Sequence, residues 1–323
     1  MISEYALDPE LVARWHDPRE WAFFREAFAD GTGRFGSTFP RQNGKKWRQA
    51  VFSAFRQCFP TETPESPAWQ RMDALLERLS DRMVERDPGV MQSGRWLDRA
   101  VEEHRRRPFQ GILSAVPAAE VAEVLTPDML FEDRPPAAWS RPRCPPVPRT
   151  AADFADALRP LLLRCREVVF VDPWFDPNKP EFTDPLRAML QVLWGPGRGV
   201  DGPVAQLVIA EGGNQGKRDA RWLMDGCRKR LPSILPEGRR VTVTVLRQRN
   251  GGQKIHNRYA LTMFCGVSFG TGLDAAGDEG TGQTDDICRL TREQLIARWG
   301  QYVSARGSWF QEAAGPADIC AAR

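Results

Sequence analysis

The residues best able to do chemistry lie between Val241 and Leu273. Lys254-Ile255-His256-Asn257-Arg258 stands in this stretch. In an extended chain side chains alternate, so Lys254, His256 and Arg258 share one face, and Ile255, Asn257 and Tyr259 the other. An imidazole flanked by two cations is a receptor for a phosphate group. His256 is one of three histidines, and a lone histidine is more often structural than catalytic. This one, however, lies in a tract from Arg239 to Arg258 that holds six cations and no acid. Acids resume just beyond, at Asp274, Asp278, Glu279, Asp285 and Asp286. That segregation marks an anion site, with Arg247, Arg249 and Lys254 as further phosphate contacts.

Two other clusters carry chemistry. Glu211-Gly212-Gly213-Asn214-Gln215-Gly216-Lys217-Arg218 follows an apolar run, where glycine loops can hold phosphates. It lacks the first glycine and the Ser/Thr of a nucleotide-triphosphate loop, so a plain strand-to-helix turn explains it as well. Either way Lys217 falls on the strand edge where ligands bind. Asp172 and Asp176 also follow an apolar run, and each precedes proline, a common turn opening. Asp172 has a second reading, as the carboxylate that accepts the other ring proton of His256. The cysteines at 58, 144, 165, 227, 265, 288 and 320 form no CxxC pair, so neither a metal nor a cofactor is expected.

These residues need a scaffold. Val241, Val243 and Val245 alternate with Thr242 and Thr244, the period of a half-buried strand. Before them the pattern predicts a helix at Phe154–Leu162, a strand at 167–172, a helix near 184–194, a strand at 203–210 and a helix at 216–231. Strands at 241–247, 254–263 and 266–270 follow, then a helix at 292–303. Alternation of this kind predicts an α/β domain, and the strands without an intervening helix make its sheet mixed.

The first 131 residues read as a mainly α-helical domain, with apolar stripes such as Met72, Leu75, Leu76 and Leu79. Gly31 to Thr61 has no acid, and six cations interleave with six aromatic rings. Two readings stand there: a surface for bases and sugar-phosphate, or one helix burying Trp47, Val51, Phe55 and Phe59. Residues 132–150 carry six prolines and predict an extended linker, leaving 151–323 as the second domain.

His256-x-Arg258, an apolar strand, and then Gly266 to Gly272 resemble the phospholipase D-like superfamily over about 151–274. That family's signature is HxK, four residues, Asp, six residues, then GSxN. His256 stands at its nucleophile, Arg258 at its lysine, Met263 at its aspartate, and Gly270 to Leu273 at its GSxN. The resemblance implies metal-independent attack on a phosphodiester by one histidine, with a second motif protonating the leaving group. It makes His256 and Arg258 the catalytic candidates, adds Ser268 and Thr271 as phosphate contacts, and implies a homodimer to supply the missing second motif. With three positions altered, it implies a degenerate site that binds nucleic acid without cutting. A dimeric nuclease is one alternative, and a scaffold in a multi-protein complex another. HxR variants of this type occur in prokaryotic gene clusters for defence against phage, which implies partner proteins.

A net charge of +3 is too small to define a partner alone. No apolar run approaches 18 residues, so no membrane span is expected. The first residues lack a basic stretch leading into an apolar core, and dispersed cysteines suit free thiols in a reducing cytoplasm.

Overall fold

Glu4 is the residue that shows why the first half of the chain folds as it does. Its carboxylate is buried, and a buried charge persists only with a partner. Arg86 supplies one, with Nε 2.6 Å from Oε1 and Nη2 3.0 Å from Oε2. The same guanidinium donates to Glu103 Oε1 at 3.0 Å and to the Arg107 carbonyl at 2.7 Å, and stacks 3.7 Å from the centre of the Phe109 ring. The computed structural model describes residues 2–41, 43–86, 94–118, 120–140, 142–195, 202–212, 218–276 and 282–322. Two compact units divide it, one of residues 2–142 and one from Arg143 onward.

Glu4 belongs to β1 (Ser3–Leu7), an inner strand of a parallel sheet with β2 (Arg34–Ser37), β3 (Gly111–Leu113) and β4 (Val124–Leu125), in the order β2-β1-β3-β4. The first unit therefore packs its helices on a small parallel sheet, which the expectation of a mainly α-helical domain did not include. Its strands have two to five residues and β1 buries Ser3 and Glu4, so no apolar alternation announces them. Phe109 to Leu130, within the 131 residues read as mainly α-helical, holds β3, β4 and a short helix, Pro127–Leu130. The helices Gly44–Cys58 and Pro67–Ser80 do follow apolar spacing, burying Trp47, Val51 and Phe55, and Met72, Leu75, Leu76 and Leu79. Trp47 and Phe55 are core and so are not a surface for bases, whereas Phe59, expected in the same stripe, caps the helix and is half-buried.

Residues 132–150 are not free chain. Trp139 is buried in the first unit's core, with the Arg34 guanidinium 4.3 Å from its ring centre. Pro146–Pro148 forms β5, an edge strand of the second unit, where proline's missing N–H is tolerated.

The second unit is built on a mixed eight-stranded sheet in the order β12-β8-β7-β6-β9-β10-β11-β5. Its strands are β5, β6 (Glu167–Val171), β7 (Val204–Ala210), β8 (Arg240–Gln248), β9 (Arg258–Leu261), β10 (Gly266–Phe269), β11 (Thr284–Arg289) and β12 (Phe310–Cys320). β6, β7 and β8 are mutually parallel, and the outer pairings are antiparallel. The inner strands are buried on both faces, which is why Val168 to Val171 reads as a continuous apolar run. β11 and β12 give no strand signal in the sequence because Asp285, Asp286, Gly315 and Pro316 interrupt any apolar period.

The cysteines depart from the expectation of free thiols. Cys144 and Cys288 form a disulfide across 144 residues, and Cys58, Cys165, Cys227, Cys265 and Cys320 are free. No spacing rule finds this pair, because it follows from the pairing of β5 with β11. Among the described residues no helix is long and apolar enough to cross a membrane.

Candidate functional site

The sheet's register places most of the candidate residues on one edge. β6, β7 and β8 end there, and β9 begins there, since Val171 pairs with Tyr259. β10 ends there, with Phe269 opposite Arg258, and β12 begins there, with Phe310 opposite Gln248. Open α/β sheets bind ligands outside the carboxyl ends of their parallel strands.

Lys254 to Asn257 leads into β9 but is not strand, a correction to the expected strand from 254. The neighbours β6 and β10 both stop level with Arg258 and Tyr259, so the preceding residues have nothing to pair with. Side-chain alternation survives all the same: Ile255 and Tyr259 are buried, while Lys254 and His256 are exposed. His256 Nδ1 lies 3.2 Å from the Lys254 carbonyl.

Asp172, just past β6, is fully buried. Its Oδ1 accepts the Trp174 N–H at 2.9 Å and its Oδ2 the Leu273 N–H at 3.2 Å. Burial pushes its carboxyl up to about 6, although those two N–H groups and the charge on Arg258 favour the anion. Both oxygens are thus held by backbone, and no hydrogen bond joins Asp172 to His256 among the described residues. The carboxylate closes the loop after β10 onto the loop after β6, and it does not orient the imidazole.

Arg258 and Arg218 flank this carboxylate. Arg258 makes no ion pair among the described residues, and its Nε is enclosed without a hydrogen-bond partner. Arg218 donates from Nη2 to the Phe175 carbonyl at 2.7 Å. Burial lowers its pKa, opposed by Asp176 and Asp172. The sequence gives Arg218 no signal of its own beside the glycine-loop candidate Lys217, which lies outside the described residues.

The other cations are committed. Arg247 holds Glu211 in a bidentate pair, Nε to Oε2 at 2.5 Å and Nη2 to Oε1 at 3.1 Å. Arg249 donates to the Gly307 carbonyl. Ser268 Oγ donates to the Cys288 carbonyl at 3.3 Å. Thr271 gives its N–H and its hydroxyl to Asp285 Oδ1, at 3.0 and 3.1 Å. Gly270 permits that approach, because a Cβ there would stand 2.7 Å from Asp285 Oδ1. Met263 lies in the turn between β9 and β10, at the opposite edge of the sheet and 67% exposed. The edge therefore gathers Lys254, His256, Arg258 and Asp172, and leaves Arg247, Arg249, Ser268 and Thr271 occupied by the protein itself.

Compared with known proteins, the chain matches no protein-family model and no curated protein.

Proposed function

We propose that the second unit binds the phosphodiester backbone of nucleic acid along this edge and holds it without cutting it. One observation carries the reading: Lys254 and His256 have no carboxylate partner among the described residues, and Arg258 makes no ion pair there although buried Asp172 lies beside it, while Arg247 is paired. Cations free of acids are the form in which a protein meets phosphate, because binding then releases counterions without breaking an ion pair. Against cleavage stands the imidazole itself. It has no orienting carboxylate among the described residues, and the other histidines, His16 and His104, belong to the first unit. Attack on phosphorus by one imidazole leaves the departing oxygen without a second imidazole to protonate it.

Anisotropy of a labelled oligonucleotide against salt tests the reading on the full chain. Lys254→Glu is expected to weaken binding about tenfold and to lower the salt slope by roughly one for each phosphate that is no longer neutralised. An unchanged affinity and slope would move the footprint off this edge. In EDTA the purified protein is expected to bind and not cut. Cleavage that His256→Ala abolishes would make the protein a nuclease instead.

A further inference from the structure

Three exposed indoles lie on the same edge as Lys254, His256 and Arg258. Trp174, Trp222 and Trp309 are 49%, 39% and 44% exposed. Trp174 follows β6, Trp222 opens the helix Ala220–Arg230 that follows β7, and Trp309 directly precedes β12 where it meets the end of β8. The other large exposed apolar residues described in this unit lie elsewhere: Val204 starts β7 and Met263 turns at the opposite edge, while Ile296 sits on the helix Arg292–Trp299.

Each indole stands on backbone that is tied down. The Trp174 N–H is held by buried Asp172, and the next carbonyl, that of Phe175, by Arg218. Asp219 caps the helix by accepting the Trp222 N–H at 2.7 Å. The turn before Trp309 is pinned by Arg306, which donates to the Tyr302 carbonyl at 2.7 Å and Thr244 Oγ1 at 3.1 Å, and by Arg249 on the Gly307 carbonyl. These described acids on the edge are engaged: Glu211 with Arg247, Asp219 with the helix N–H, Asp176 with the Asn178 N–H and Asp172 with two amides.

In strand order the row runs from β12 and β8 (Trp309) through β7 (Trp222) and β6 (Trp174) to β9 (Arg258, preceded by His256 and Lys254). Four strand steps at about 4.8 Å make roughly 19 Å of edge, aromatic at one end and cationic at the other. Rigid flat rings beside unpaired cations are how proteins hold unstacked bases and the backbone that joins them. A duplex keeps its bases stacked and offers these rings nothing. Resting on the phosphate-binding reading above, we infer that the nucleic acid bound here is single-stranded, with its bases stacked on Trp174, Trp222 and Trp309.

The test uses the full chain and four probes: a labelled oligothymidine, an abasic oligomer of equal length, a duplex of equal length, and vesicles of phosphatidylglycerol with phosphatidylcholine. The oligothymidine is expected to bind at least tenfold tighter than either the abasic strand or the duplex. Each Trp→Ala substitution is expected to weaken oligothymidine binding roughly five- to hundredfold. The same substitutions are expected to leave abasic and duplex binding unchanged, with Trp→Phe restoring most of the loss. Should an alanine variant fail to fold, the wild-type comparison of thymidine with abasic strand still decides. Equal affinity for the three oligomers, with Lys254→Glu weakening all of them, would sink the stacking inference and leave phosphate binding standing. No binding to any oligomer would sink both. Tryptophan-dependent binding to the vesicles without preference among oligomers would assign the indoles to a lipid surface and overturn the inference.

Discussion

At the scale of single residues, Asp172 has the sharpest consequence. Its carboxyl titrates at about 6 in the folded protein, against 3.8 in the unfolded chain, because burial outweighs two N–H donors and a nearby guanidinium. The raised value means that the folded state holds the proton longer. The stabilisation is complete below pH 4 and is lost as pH climbs through about 6, a change of about 3 kcal/mol. Asp172→Asn keeps the shape but faces the Trp174 and Leu273 N–H groups with a single acceptor. It is expected to cost roughly 1–3 kcal/mol and to remove that pH dependence. Urea unfolding of both proteins from pH 4 to 8 measures this, and parallel curves would show that Asp172 is not the titrating group. His256 is the counterexample at the same scale, since an exposed imidazole 3.2 Å from its own neighbour's carbonyl has the residue type for catalysis without the setting.

Among the elements, the segment that joins the halves of the chain is the informative one. Cys144 is tied to Cys288, β5 pairs with β11, and Arg149 donates to the Asp274 carbonyl at 3.2 Å and pairs with its carboxylate. The Ala276 N–H returns to the Arg149 carbonyl at 2.8 Å. The loop after β10, which delivers the Leu273 N–H to Asp172, is thus anchored by an edge strand more than a hundred residues earlier in the chain. Removing the crosslink with Cys144→Ala and Cys288→Ala is expected to destabilise the second unit by roughly 3–5 kcal/mol, since the closed loop is long. Faster amide exchange over 270–276 is expected with it. Exchange unchanged in that loop would mean that β5 holds its place without the disulfide.

For the molecule as a whole, each unit has its own core and its own anchor. Arg86 joins Glu4 and Glu103 in the first unit, and the disulfide belongs to the second. Calorimetry is expected to resolve two transitions rather than one, as chains with two cores do. Arg86→Ala leaves the buried Glu4 carboxylate unpaired and Glu103 with Arg106 alone, and is expected to lower one transition by the equivalent of about 3–5 kcal/mol. Loss of the disulfide is expected to lower the other. One transition moved by both changes would make the two units a single cooperative block.

What the sequence determined by itself is whatever a short window of residues decides. Alternating valines announce β8, the apolar run Val168 to Val171 announces β6, and helical spacing puts Trp47, Val51 and Phe55 inside. The outward face of Lys254 and His256 was legible too, because alternation is a property of consecutive residues. The tertiary structure alone decided which polar groups are spent and which are free. Arg247 and Lys254 look alike in the chain, yet Glu211 arrives from β7's end to occupy the first and no described acid reaches the second. Glu4 gave no sign of being a core residue, for its partner Arg86 lies 82 positions away. Cys144 and Cys288 meet only because edge strand β5 pairs with β11, and three tryptophans line one edge only because parallel strands end together. Apolar burial follows a local period, whereas an ion pair, a disulfide or a shared edge is settled by distant segments that the fold brings into register.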